Sequence, residues 1–447
     1  MSVTAGQETS AFGEPPAVSA IAVTVTSLDG TLDLTASGAP GQTFDFGDHF
    51  DAFEKITVTV DGSAGGREVM GGRSLPGILL SSVVGEIPVL AQRKEQWARP
   101  LGGLAASHVN GAATVMAGRY LALTGGTAAK GDPASTPGDL DAYDLWSLSG
   151  DATAAYFSTV PETIVPVPAS TSNPDSQVLL LGAAGPELFD YTEGDDNTDN
   201  APLGLPAGMT AWSDVTGGAV IDDGNGRAFV VGATRSSGAT TAVLGVEVDT
   251  VGDVVLTSYP LHVARAGAAA AYIQGVGLVV VGGSSTPPGV EVLAPAGAAF
   301  VAQGSTPADP VAGAGAVTDG GSGLFLVGGV EPGGAIAPTR HLSPASCPTA
   351  CTAAAVPGLA ALPVALVDVS TYPLGGQRFL AVGNQVTGGG LTRSFIVDAG
   401  ALAVTEALLR EPRQGASVIP VPNGAIAVLG GQHADGTPAL SVEMFLP

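Results

Sequence analysis

Seven times between residues 119 and 431 the chain passes through a short apolar run and stops on glycine: "RYLALTGG", "QVLLLGA", "AFVVGA", "GLVVVGG", "GLFLVGG", "RFLAVGN" and "AIAVLGG". A brief continuous apolar run bounded by a turn residue predicts a strand covered on both faces. The leading glycines stand at 125, 182, 232, 282, 328, 383 and 430, a period near 50 residues. Self-similarity at that spacing predicts an all-β fold, a seven-bladed β-propeller that adds one sheet per repeat.

A second signal keeps phase with the first. Gly217, Gly267, Gly313 and Gly415 each lie fifteen residues before a leading glycine, Gly111 lies fourteen before, and the second and sixth units have no such glycine. Innermost strands converge on a central channel where bulky side chains would collide, so small residues are expected there. Downstream of each leading glycine a more alternating stretch, such as "GVEVLAP" or "LSVEMFLP", predicts a third strand, and most units continue into a fourth. The last unit ends at Pro447 without a fourth strand. An open sheet edge there needs a partner, and residues 77–92, "GILLSSVVGEIPVLAQ", leading through "WARPLGG", are expected to supply it and so close the ring from the N-terminal side.

The front of the chain reads differently. Residues 20–37 alternate apolar and polar on either side of Asp29–Gly30, a hairpin signal, and "FEKITVTVDG" adds another alternating strand. The expected organisation is a flexible polar tether over 1–19, a small β appendage over 20–75 and the propeller over 76–447. A strand donated by this appendage to a neighbouring subunit, giving filaments, is an alternative use of the same pattern.

The glycine pairs, the period and the Arg-x-Gly-small opening of some units resemble the kelch repeat, over about residues 77–447. Gly-Gly stands at 125, 282, 328 and 430 and gives way to Gly-Ala or Gly-Asn elsewhere, while the aromatic pair of kelch blades is matched around Tyr143 and Trp146. The resemblance implies a propeller that works as a binding or structural module. Kelch-type propellers also include a copper radical oxidase, whose clustered Tyr, His and Cys ligands contrast with five scattered histidines here (49, 108, 262, 341 and 433).

Charge narrows the partners. Sixteen basic against 41 acidic residues give a net charge of −25, which repels nucleic acid and anionic membrane. No apolar stretch reaches the roughly 18 residues of a membrane helix. The opening "MSVTAGQETSAFGEPPAVSA" lacks the basic start and apolar core of a signal peptide and reads as a tether left after processing, with a lipid anchor upstream as one option. The only cysteines, Cys347 and Cys351 in "CPTAC", suit a small loop-closing disulfide better than half a zinc site. Together these features point to an extracytoplasmic protein, at the cell surface, in the periplasm or secreted.

Candidate chemistry is sparse. Arg265 and Arg413 precede inner-strand glycines by two, so each places a guanidinium near the channel mouth, suited either to an anionic ligand or to a neighbouring acid. Arg99, His108 and His433 are further candidates for ligand binding on that face. Asp195, Asn197 and Asp199 have the alternate spacing of a calcium loop, but its sixth and twelfth positions hold Asn200 and Pro206, so a solvated acidic loop competes with calcium binding. The expected role is binding of a protein or glycan through the propeller face. A carbohydrate-acting enzyme of epimerase, lyase or oxidase type in the channel is the alternative.

Overall fold

The computed structural model describes residues 2–46, 49–51, 53–83, 86, 88–132, 139–153, 157, 160–167, 177–190, 203–250, 252–302, 306–343 and 352–447. Seven antiparallel sheets succeed one another along the chain. Their innermost strands are Ala112–Met116, Thr163–Pro166, Ala219–Asp222, Ala269–Ile273, Ala312–Thr318, Leu366–Gly375 and Ser417–Pro420. These are the blades of a seven-bladed propeller, numbered here 1 to 7, and in blades 1 to 6 the strand order from the channel outward follows the chain.

The second strands explain the glycine-terminated runs. In Gln177–Gly182 of blade 2, Val178 and Leu180 pack with blade 1, whereas Leu179 and Leu181 pack with blade 3. Both faces of the strand are therefore covered, and every position becomes apolar. The same division produces one buried cluster between each consecutive pair of blades from 1 to 7. Each Val or Leu so covered contributes about 1.5–3 kcal/mol, which makes neighbouring blades, more than any single sheet, the unit of stability.

Blade 7 is completed by an N-terminal strand, but a different one from that expected. Trp97–Ala98 pairs antiparallel with Glu443–Phe445, in the register Met444 to Ala98 and Phe445 to Trp97. Residues 77–92 belong instead to the front sheet, where Ile78–Leu79 pairs with Lys55–Ala64 and Pro88–Arg93 pairs with Arg67–Arg73. A strand of two residues suffices because Trp97 is a large anchor: it has no solvent exposure, its ring centroid lies 5.4 Å from that of Phe445, and its indole N–H donates to Ser394 Oγ at 2.8 Å.

The front sheet is larger than a small appendage. It is a curled, mixed sheet ordered Ser2–Thr4, Pro88–Arg93, Arg67–Arg73, Lys55–Ala64, Ala20–Ser27, Asp33–Gly38, with Ile78–Leu79 also on Lys55–Ala64. The hairpin at Asp29–Gly30 forms as the alternation predicts, with Gly30 at φ 73° and Asp29 Oδ1 accepting from Ser27 and Thr31. Ile21, Val23 and Val25 turn inward and share one core with Leu121 of blade 1 and Leu429 of blade 7. Nor are the first residues a free tether. Ser2–Thr4 pairs parallel with Pro88–Arg93, Ala11 is buried, and the Arg93 guanidinium donates to the carbonyls of Ala11, Glu14 and Pro16.

Candidate functional site

The strand ladders define a ring of equivalent positions at the channel. In each blade, two residues before the one paired with the residue that precedes the leading glycine, stand Asn110, Pro161, Gly217, Gly267, Gly313, Asp368 and Gly415. The four glycines expected at the hub have φ of 75°, 67°, 81° and 64°, and Asn110 and Asp368 adopt the same left-handed backbone at 58° and 51°. Asn and Asp are the side chains that tolerate this region best after glycine. Blade 1 therefore uses Asn110 rather than Gly111, and blade 6 fills the glycine's place with Asp368. Blade 2 uses Pro161, displaced along the chain because its first and second strands, Thr163–Pro166 and Gln177–Gly182, are separated by more residues than in the other blades.

Close approach of the blades sets this preference for glycine. A Cβ on Gly267 would lie 2.7 Å from Gly313 N, and one on Gly313 would lie 2.7 Å from the Val367 side chain. Backbone hydrogen bonds run between blades here: Asn110 N–H donates to Gly415 O at 2.8 Å and Gly313 N–H to Gly267 O at 2.7 Å.

Inside the ring the innermost strands enclose a cavity of about 960 Å³, walled chiefly by alanine, glycine, serine, threonine and valine. The charged residues on its wall are Glu162, Asp222, Arg235 and Asp368. Glu162, Asp222 and Asp368 are exposed, whereas Arg235 is half-buried and donates to Ser213 O and Thr216 O. None of these four stands out in the sequence by residue type. The fifteen-residue offset that marks the hub glycines also lands on Asp368, so a signal exists for that one.

Arg265 and Arg413 are not at the channel surface. Both have zero exposure. Arg265 donates to Gly282 O at 2.7 Å, Pro288 O at 2.5 Å and Glu291 Oε1 at 3.1 Å. Arg413 donates to Gly430 O at 3.2 Å, Ser441 O at 2.8 Å and Glu443 Oε1 at 3.1 Å. Each guanidinium thus ties the entry of its own blade to the leading glycine and to an acid on the third strand. That acid also accepts backbone N–H groups from the entry segment, His262 and Val263 in blade 4, Arg410 and Glu411 in blade 7. Burial pushes the Glu443 carboxyl above its usual range, against the pull of Arg413 and those N–H groups. The expected anion site is therefore a structural joint: the same fork that suits a ligand carboxylate is spent on internal acceptors.

The remaining candidates separate. His108 is fully buried in blade 1, with Nδ1 2.8 Å from Gly125 O. His433 is partly exposed, with Nε2 2.9 Å from Glu411 Oε1 and Nδ1 3.2 Å from Pro412 O. Arg99 pairs with Glu8 at 2.9 Å, which holds its guanidinium firmly protonated, so this arginine fastens the N-terminal segment. Asp195, Asn197, Asp199, Cys347 and Cys351 lie outside the described residues. Among the described residues no group of three or more His, Cys, Asp or Glu is placed to hold a metal ion, and no helix is long and apolar enough to cross a membrane.

No protein-family model matches the chain, and no curated protein matches it. Among solved structures it is similar to YjhT, at 12% identity and a TM-score of 0.39, over 76% of this chain and 94% of that one. It is also similar to a Mycobacterium tuberculosis puromycin-hydrolyzing peptidase, at 12% identity and a TM-score of 0.40, over 84% of this chain but only 55% of that one. A third likeness is to BBS1N in complex with ARL6DN, at 12% identity and a TM-score of 0.31, over 89% of this chain and 88% of that one.

Proposed function

We propose that this chain is an extracytoplasmic, kelch-like binding module that takes a protein loop or a glycan end at the mouth of its central channel. The observation that carries the reading is the contrast between the two arginines and the cavity. Arg265 and Arg413, the cations that an enzyme acting on acidic sugars would need, are consumed inside blades 4 and 7. The cavity of about 960 Å³ is within the size of ligand-binding clefts, and its wall of small side chains leaves recognition to shape and to the free edges of the innermost strands. The acidic surface and the Cys347–Cys351 spacing support a location outside the cytoplasm.

The test compares the wild-type chain with Ala219→Trp on a glycan array and against surface-protein extracts. Ala219 is exposed and lines the cavity, so the substitution fills the mouth without entering a blade core. A ligand bound by wild type and lost in the variant supports the channel; equal binding by both rejects it. Turnover of a sugar substrate by the wild-type protein would return the enzyme reading to first place.

A further inference from the structure

Blade 1 has a histidine where blades 4 and 7 have arginine. His108 precedes Asn110 by two, as Arg265 precedes Gly267 and Arg413 precedes Gly415. Its Nδ1 meets the carbonyl of the leading glycine, Gly125, as the two guanidinium groups meet Gly282 and Gly430. Its acid is Asp141, opposite Leu123 in the ladder, as Glu291 is opposite Val280 and Glu443 opposite Val428. Asp141 also accepts an entry-segment N–H, that of Ala106 at 2.5 Å. The three joints are therefore one device, built twice with a permanent cation and once with a titratable one.

The histidine version has an unsettled atom. Because a carbonyl can only accept, Nδ1 carries a proton. Nε2 then faces Asp141 Oδ2 at 3.8 Å, with no exposure and no hydrogen-bond partner among the described residues. With the ring neutral and the carboxylate ionised, a buried lone pair confronts a buried negative charge, an arrangement that costs free energy. One added proton, on Nε2 or on Asp141, removes the conflict. We infer that His108 and Asp141 form a proton-dependent joint at the seam between blades 7 and 1, which holds one proton in the folded protein and weakens as that proton leaves.

Other ionisable groups near the pair favour retention of a proton. Burial pushes the Asp141 carboxyl upward against the pull of the Ala106 N–H and His108, and Asp132 and Asp139, from the connection between the second and third strands, add to the rise. Asp132 also accepts the Ser107 N–H at 2.8 Å. From blade 7, residues 107–110 meet the backbone of Gly415 and Gly431, while the charges of that blade's own joint, Arg413 and Glu443, are paired with each other.

In an unfolded chain histidine holds its proton only below about pH 6.5 and aspartate only below about 3.9. Above about pH 6.5 the folded joint therefore binds a proton that the unfolded chain does not. The stabilisation is complete below that pH and is lost as pH rises until the joint releases its proton, with the unfolding constant changing about tenfold per pH unit for one linked proton.

The experiment is denaturant unfolding of the full chain between about pH 5.5 and 9, a window that brackets the unfolded histidine value, for wild type, His108→Asn and the double variant His108→Arg with Asp141→Glu. Asparagine keeps a donor for Gly125 O and tolerates the φ of 42° at this position, while the double variant copies the joint of blades 4 and 7. Above about pH 6.5 the wild-type unfolding constant is expected to climb faster than that of either variant, by up to about tenfold per pH unit. Equal pH slopes in all three overturn the inference. Should the variants fail to fold, the ¹⁵N shifts of the His108 ring and the ¹³C shift of the Asp141 carboxyl in wild type decide it: one proton between Nε2 and Asp141 at neutral pH is expected, and a plain Nδ1–H ring beside an ionised Asp141 refutes it.

Discussion

Arg265 and Glu291 lie 3.1 Å apart with neither side chain touching solvent. Removing one member of such a pair strands the other, whereas replacing both with hydrocarbon of similar volume is often neutral. Arg265→Met is therefore expected to cost about 3–5 kcal/mol, and adding Glu291→Leu to restore most of the loss. Urea unfolding of the two variants measures both; a cost under about 1 kcal/mol for Arg265→Met would mean that Glu291 is not left stranded.

At the hub, Gly313 and Asp368 occupy equivalent positions with opposite expectations. A side chain at Gly313 meets both a left-handed backbone and the Val367 side chain, so Gly313→Ala is expected to destabilise by more than the roughly 1–2 kcal/mol of the backbone term alone. Asp368→Gly removes a strained side chain and is expected to be neutral or stabilising by up to about 1 kcal/mol. Melting curves of the two variants, run side by side, distinguish them by sign.

Closure of the ring is concentrated on one residue. Trp97→Ala should destabilise by about 3–5 kcal/mol, as for other buried aromatic truncations, whereas Ser394→Ala leaves the indole N–H unpaired at about 1–3 kcal/mol. Ranking the two by chemical denaturation checks that packing outweighs the hydrogen bond.

Acid should weaken the pair of Asp144 with Arg119. Burial raises its carboxyl, but Arg119 at 2.7 Å, the Trp146 N–H and the Ser147 hydroxyl outweigh that and hold it below the usual range. A carboxyl lowered on folding adds stability above the unfolded value of about 3.9 and loses it as pH falls through the folded value. Wild type is therefore expected to lose more stability than Arg119→Met on titration below about pH 4, followed by tryptophan fluorescence.

Much of the fold is legible because propeller physics writes itself into single residue types. A strand covered on both faces shows as an unbroken apolar run, here Val178, Leu179, Leu180 and Leu181, and a left-handed hub position shows as glycine. What escapes is carried by substitutes with the same backbone tolerance: Asn110 and Asp368 perform the glycine's task without its letter. The clasp escapes because residues 77–92 offer the longer apolar segment, while the two-residue strand Trp97–Ala98 holds through one indole. The repeat puts the arginines at the right position, yet their direction depends on Glu291 and Glu443, acids on the third strand whose facing is a matter of register.

The clasp also sets an order of events during synthesis. Trp97 emerges from the ribosome before any blade, and Phe445 follows all the other blades. Until then the indole has no sheet to enter, so blades 1 to 6 can assemble as an open arc while the circle waits for its last strand. A chain truncated just short of Glu443 would lack the partner strand and the Arg413 acceptor at once, leaving both ends of the arc exposed to other molecules.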